Sequence, residues 1–252
     1  MMRGAIVFQQ SRDKKLTEPS DQTATVSDAD DFDRFVHILG HDLRACVRAL
    51  NVLPTWIEED VVSHAPELMP LMSENITMMK AQSVRLDRML VDLLEFSRVG
   101  RLQKIETVSI ATVVEKSLQK LGMDTNGTTT TRIELSSIRC GPDDARRIFD
   151  ILLSNAQKHG AAPFEVQVYE ADGCCVIHVA DAGHGIPFAH RGKVLEPMST
   201  LQSRDTIEGS GMGLAILQKI AAIYQGAITW RDVEDSASTQ AALVEIRLPL
   251  AS

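Results

Sequence analysis

The apolar positions between residues 32 and 57 fall at Phe32, Phe35, Leu39, Leu43, Cys46, Leu50, Leu53 and Ile57. Steps of three and four describe one face of a helix packed in a bundle. Ser27 predicts its start, and Asp28, Asp30, Asp31 and Asp33 crowd the first turns, where negative charge suits the helix dipole. Pro54 predicts a kink or the end of a first segment. A turn around Ser63 to Pro66 leads to a second amphipathic stretch, about Glu67 to Arg98. Its seam is Leu68, Met72, Ile76, Met79, Leu86, Leu90 and Leu93, with Ser83 in one core-facing slot. One hairpin cannot bury both stripes, so the expected unit is a four-helix bundle made by two chains.

After Leu102 the period changes. Strands are predicted at 105–110, 131–135, 164–169, 174–180, 227–231 and 242–248, and helices at 111–121, 142–159 and 212–224. This alternation predicts a mixed sheet covered by helices. The fold class is therefore α+β: a helical hairpin, then an α/β sandwich. Residues 1–26 read as a mobile tail, 27–100 as the hairpin and 101–252 as the second domain, with Gly100 as a helix cap opening the linker. The stretch 124–131 reads as a Thr-rich loop.

Composition narrows the classes. Apolar residues make up 44% of the 252 and aromatics only 4%, so the cores are aliphatic. A net charge of −8 without a basic run argues against a nucleic-acid partner. No apolar run approaches the roughly 18 residues of a membrane span, so no membrane insertion is expected. The four cysteines lack disulfide or zinc spacing, and Cys174 and Cys175 read as small apolar strand residues. Together these point to a reduced, cytoplasmic chain.

Several residues carry candidate chemistry. His41 lies two residues from both Leu39 and Leu43, roughly 160–200° from the seam, on a face shared with His37, Arg44 and Arg48. A surface histidine alone is ordinarily just solvated. Asn155 lies inside a predicted helix, where asparagine is mildly unfavourable. Asp181-Ala182-Gly183-His184-Gly185 follows a strand, and its glycines let backbone approach a ligand. Gly209-Ser210-Gly211-Met212-Gly213 opens a helix whose N–H groups can bind phosphate. It is not a dinucleotide fingerprint, because no strand leads straight into it. The loop between these motifs, Phe188 to Glu208, is the expected lid, with Arg191 and Arg204 as candidates for phosphate contact.

His41-Asp42-Leu43-Arg44 resembles the H-box of sensor histidine kinases. The run Phe149 to His159 resembles their N-box, and the two glycine motifs resemble their G1 and G2 boxes, in the family's order. Leu90 to Gly100 and Gln202-Ser203-Arg204-Asp205 resemble the phytochrome-type branch. The resemblance implies a GHKL (Bergerat-type) ATP-binding domain using ATP and Mg2+. It implies Asn155 as a metal ligand and Lys158, His159 and Arg204 near the triphosphate. Asp181 would meet the adenine amino group, and Gly183, Gly185, Gly209, Gly211 and Gly213 would let backbone approach the nucleotide. His41 would be the nucleophile, Asp42 would orient or deprotonate it, and the phosphoryl group would pass to an aspartate of a response-regulator receiver domain. A homodimer is implied as well.

There are departures. Cys46 stands where the family usually has proline, Ile151 where a second Asn is common, and Met198 where the F-box has phenylalanine. Ala45 replaces a residue linked to phosphatase activity, so weak phosphatase activity is expected. No sensory domain fits ahead of the first helix, so either a separate sensor protein supplies the input or the chain is a fragment. The competing readings are a phosphotransfer protein or scaffold with a decayed ATP domain, and a gyrase-type ATP hydrolase, which would need Glu where Ile151 stands.

Overall fold

The computed structural model describes residues 24–101, 103–123, 127–201, 209–232 and 241–250, and side chains among these except for 24–42 and 241–242. The sequence-predicted tail lies almost wholly outside the described residues. Helix α1 (Ala24–His64) starts three residues before Ser27 and runs unbroken through Pro54. A short 3-10 turn, Pro66–Leu68, reverses the chain into α2 (Met69–Arg98).

The two helices lie side by side, and their contact seam differs from the expected one. Val47, Pro54, Ile76, Leu90 and Leu94 are buried between them. Ser83 does face the partner helix, its Oγ donating to the Leu50 carbonyl at 3.2 Å. Lys80 and Glu58 form an ion pair across the same seam. Of the sequence-predicted seam, Leu43, Cys46, Leu50, Leu53, Met79, Leu86 and Leu93 stay exposed. On α1 the buried stripe is displaced one residue, about 100°, from the longest apolar stripe. The hairpin thus has two apolar faces and uses one of them internally.

The second part begins with β1 (Glu106–Ser109), which pairs antiparallel with β3 (Ser137–Cys140). Between them lie α3 (Ile110–Leu121), capped by the Ser109 hydroxyl and ended by left-handed Gly122, and β2 (Thr129–Ile133). Helix α4 (Pro142–His159) has proline in its first turn with Asp143 and Asp144 beside it, and ends against Gly160. Then come β4 (Phe164–Ala171), β5 (Cys174–Ala180), the two-residue β6 (Ile186–Pro187), α5 (Gly213–Ile223), β7 (Ala227–Asp232) and β8 (Ala241–Pro249).

The main sheet has order β2-β4-β5-β8-β6, with β7 also on β8. Among the described residues only the β2–β4 pair is parallel. Strand alternation sends Val166, Val168, Cys175, Ile177, Ile246 and Leu248 toward α4 and α5, where they meet Phe149, Leu153, Leu217 and Ile220 in one core. Cys175 is buried there as an apolar side chain. Two expectations shift. The strand predicted at 131–135 occupies 129–133, so part of the predicted Thr-rich loop is strand, and β3 was not foreseen. Val99, at the end of the first part, is fully buried in the core of the second.

Candidate functional site

A cavity of about 750 Å3 opens between the α4 side of the sheet domain and the flank of α2. Asn155 and Lys158 on α4 line it, as does His159, and they share a face because they are three and four residues apart. Burial, and then the Lys158 charge, hold the His159 imidazole below its ordinary range.

Asp181, at the end of β5, forms the opposite wall. Its Oδ1 accepts the Gly183 N–H at 2.7 Å, which fixes the carboxylate and leaves Oδ2 able to accept from a ligand amine. Gly183 supports the wall without lining the cavity, whereas Gly185 lines it. Gly160 was missed by sequence reasoning, yet a Cβ there would lie 2.4 Å from Asp181 Cγ. The helix-ending glycine after His159 was the available signal.

The Gly209–Gly213 run forms the third wall. Gly211 has φ +75°, and a Cβ on it would stand 2.5 Å from the Ser199 carbonyl oxygen. Met198 and Ser199 back the loop at that point. Gly213 opens α5 beside α4: a Cβ on it would lie 3.1 Å from Ile151 Cγ2 and 3.9 Å from Asn155 Oδ1. A hard amide oxygen is thereby placed next to a helix N-terminus, a setting suited to phosphate and to an ion such as Mg2+ that binds chiefly through substrate phosphates. Gly209 makes no such close approach.

One candidate is not brought to the cavity. Arg191 stacks between Phe188 and Trp230, pairs with Asp232 at 3.1 Å, and lies outside the lining. Arg204 lies outside the described residues, as does the stretch 202–208. His41 and Asp42 are helical in α1, with side chains outside the description.

The first part contributes to the cavity too. Asp87, Arg88, Asp92 and Glu95 of α2 line it. Ser210, inside the glycine run, donates its hydroxyl to the Asp92 carboxylate.

A mixed sheet with helices on one face, a glycine-opened helix and an acidic wall after a central strand define a nucleotide-binding domain, here joined to a helical hairpin. Residues 140–252 match the histidine kinase-, DNA gyrase B- and HSP90-like ATPase family, and the chain as a whole is similar to sensor histidine kinases. It is 29% identical over 237 residues to the signal transduction histidine-protein kinase AfsQ2 of Streptomyces coelicolor, covering 86% of this chain and 41% of that protein. It is 26% identical over 207 residues to cyanobacterial phytochrome A of a Nostoc species, covering 77% and 26%. The histidine kinase AdeS of Acinetobacter baumannii shares the fold, with TM-score 0.54 at 14% identity over 81% of this chain and 97% of that one. The chain spans about half or less of the length of the curated relatives it matches. Among the described residues no helix is long and apolar enough to cross a membrane.

Proposed function

We propose that this chain is the phosphoacceptor and ATP-binding part of a two-component histidine kinase that phosphorylates His41. One observation carries the reading. The Ser83–Leu50 contact sets the register of the hairpin. Nine residues back along α1 from Leu50 is His41, and nine residues forward along α2 from Ser83 is Asp92. Both helices rise about 1.5 Å per residue, so His41 and Asp92 stand at one level of the hairpin. Asp92 is the residue that holds Ser210 of the glycine loop. The phosphate-binding end of the cavity therefore docks at the level of the candidate phosphoacceptor.

In this reading residues 27–100 form the phosphotransfer hairpin and 101–252 the catalytic domain, working in the cytoplasm where ATP is available. Asp181 accepts from the adenine amino group, while Lys158 and the start of α5 hold the phosphates. Asn155 would ligate Mg2+, which offsets charge on the transferred group. The distal imidazole nitrogen of His41 forms a bond to the γ-phosphorus as the bond to the ADP oxygen breaks. Asp42 takes up or orients the imidazole proton.

A receiver-domain aspartate then takes the phosphoryl group. Val52 and Trp56 lie about 20° and 60° around α1 from His41 at 100° per residue, and both are exposed, giving such a partner an apolar footing on that face. The second apolar face of the hairpin suits a second copy of the chain.

The test is incubation of the full chain with γ-labelled ATP and Mg2+. An acid-labile, base-stable label is expected, absent from His41→Gln. Asn155→Ala and Asp181→Asn should each abolish it while helical content stays unchanged. Label that persists in His41→Gln would refute the phosphoacceptor assignment.

A further inference from the structure

Helix α2 grips α5 along its length. At the C-terminal end Gly100 lies against Ile223, and its N–H donates to Asp144 at 3.1 Å, which also accepts the Tyr224 hydroxyl at 2.9 Å. In the middle Lys219 Nζ donates to the Phe96 carbonyl at 2.6 Å and stands 4.4 Å over the Phe96 ring. These two ties lie away from the cavity.

The third tie is different in kind. Ser210 donates to the Asp92 carboxylate, while Ser210 Oγ itself accepts the Met212 N–H at 3.1 Å. An anion from the hairpin is thus wired, through one hydroxyl, to the N-terminus of α5. That is the end of the helix where a phosphate would bind. Asp92 also lines the cavity directly, together with Asp87 and Glu95 of the same helix. A triphosphate in the cavity would share both the Ser210 hydroxyl and the start of α5 with these carboxylates.

We propose that Asp92 is an interdomain latch that competes with nucleotide phosphate for the start of α5. This deepens the kinase reading and rests on it. When phosphate takes the loop donors, Ser210 leaves Asp92 and the α2 carboxylates repel the phosphates. Nucleotide binding and loosening of the catalytic domain from the hairpin are then one linked equilibrium, and linkage is reciprocal. Asp92 is a positioning residue, acting through Ser210.

The experiment measures binding of a non-hydrolysable ATP analogue with Mg2+ to the whole 252-residue chain, by calorimetry, in wild type and Asp92→Asn. The substitution keeps shape and removes charge at a helix surface, so folding is checked simply by circular dichroism. Roughly fivefold or greater tightening is expected in Asp92→Asn. A second measurement uses Asp92→Cys with Ser210→Cys in a Cys46→Ser background. Mild oxidation should join the pair, saturating analogue should slow the joining, and the joined protein should lose affinity until reduced. If wild type binds the analogue but Asp92→Asn binds equally or less tightly, or if the analogue leaves cross-linking unchanged, the latch is wrong and the kinase reading stands. If wild type binds no nucleotide, that reading falls and the latch with it.

Discussion

Gly211 has φ +75°, and its missing Cβ is what lets the Met198–Ser199 backbone close against the loop. Any L-residue there meets both a strained backbone and a carbonyl oxygen. Gly211→Ala should therefore weaken nucleotide binding at least tenfold, read by calorimetry, with the fold retained. A Cβ on Gly209 meets nothing within 4 Å, so Gly209→Ala should change affinity far less. The motif spelling gave these glycines equal weight, and only their surroundings separate them. His178 is a second case. It is fully buried on the far face of the sheet, with Arg231 at 3.3 Å and Glu245 at 3.9 Å. Burial, then Arg231, push its imidazole below the ordinary range, against the opposing pull of Glu245 and Glu165. The unfolded chain then binds the proton more readily than the folded one. Its contribution to stability is present above pH of about 6.5 and is lost as pH falls from there toward the folded value. His178→Gln should flatten that part of the melting-temperature profile between pH 7.5 and 5.5.

At the scale of elements, the hairpin shows what periodicity can and cannot report. The three-four pattern located both helices to within a few residues. It did not say which stripe meets the partner helix, because α1 carries one at Val47 and Pro54 and another at Leu43, Leu50 and Leu53. The second stripe, with Met79, Leu86 and Leu93 from α2, is exposed by 41–45% per residue. Completing the burial of each leucine is worth about 1 kcal/mol, roughly half the full-burial value. With the exposed stripe as the proposed homodimer interface, Leu50→Glu or Leu86→Glu should give a monomer by light scattering where the unaltered chain gives a dimer, with helical content unchanged. In the sheet, β5 was legible to the residue because, His178 apart, it is apolar on both faces. Strand β3 was not, since its alternation of Ser137 and Arg139 with buried Ile138 and Cys140 spans only four residues, and its pairing with β1 is a long-range event.

At the scale of the whole molecule, the junction of the two parts is a packed interface rather than a free linker. Asp144 is fully buried and gathers Gly100, Tyr224 and Arg147, the last at 2.8 Å. Burial pushes the Tyr224 phenol up to about 12, which keeps it a donor to Asp144 across the physiological range. Asp144→Ala strands the Arg147 charge and two further donors, so it should cost about 3 kcal/mol or more in urea denaturation. The sequence by itself determined the helical hairpin, the mixed sheet and the candidate residues Asn155, Asp181 and Gly211 that line the cavity. The elements depend on local periodicity, and the candidate residues on motifs that resemble those of a known family. Only the tertiary structure decided that α2 walls the cavity, that Asp92 reaches Ser210, and that Gly160 makes room for Asp181. Such contacts join residues far apart in the chain, and no local pattern encodes which of several similar faces will meet.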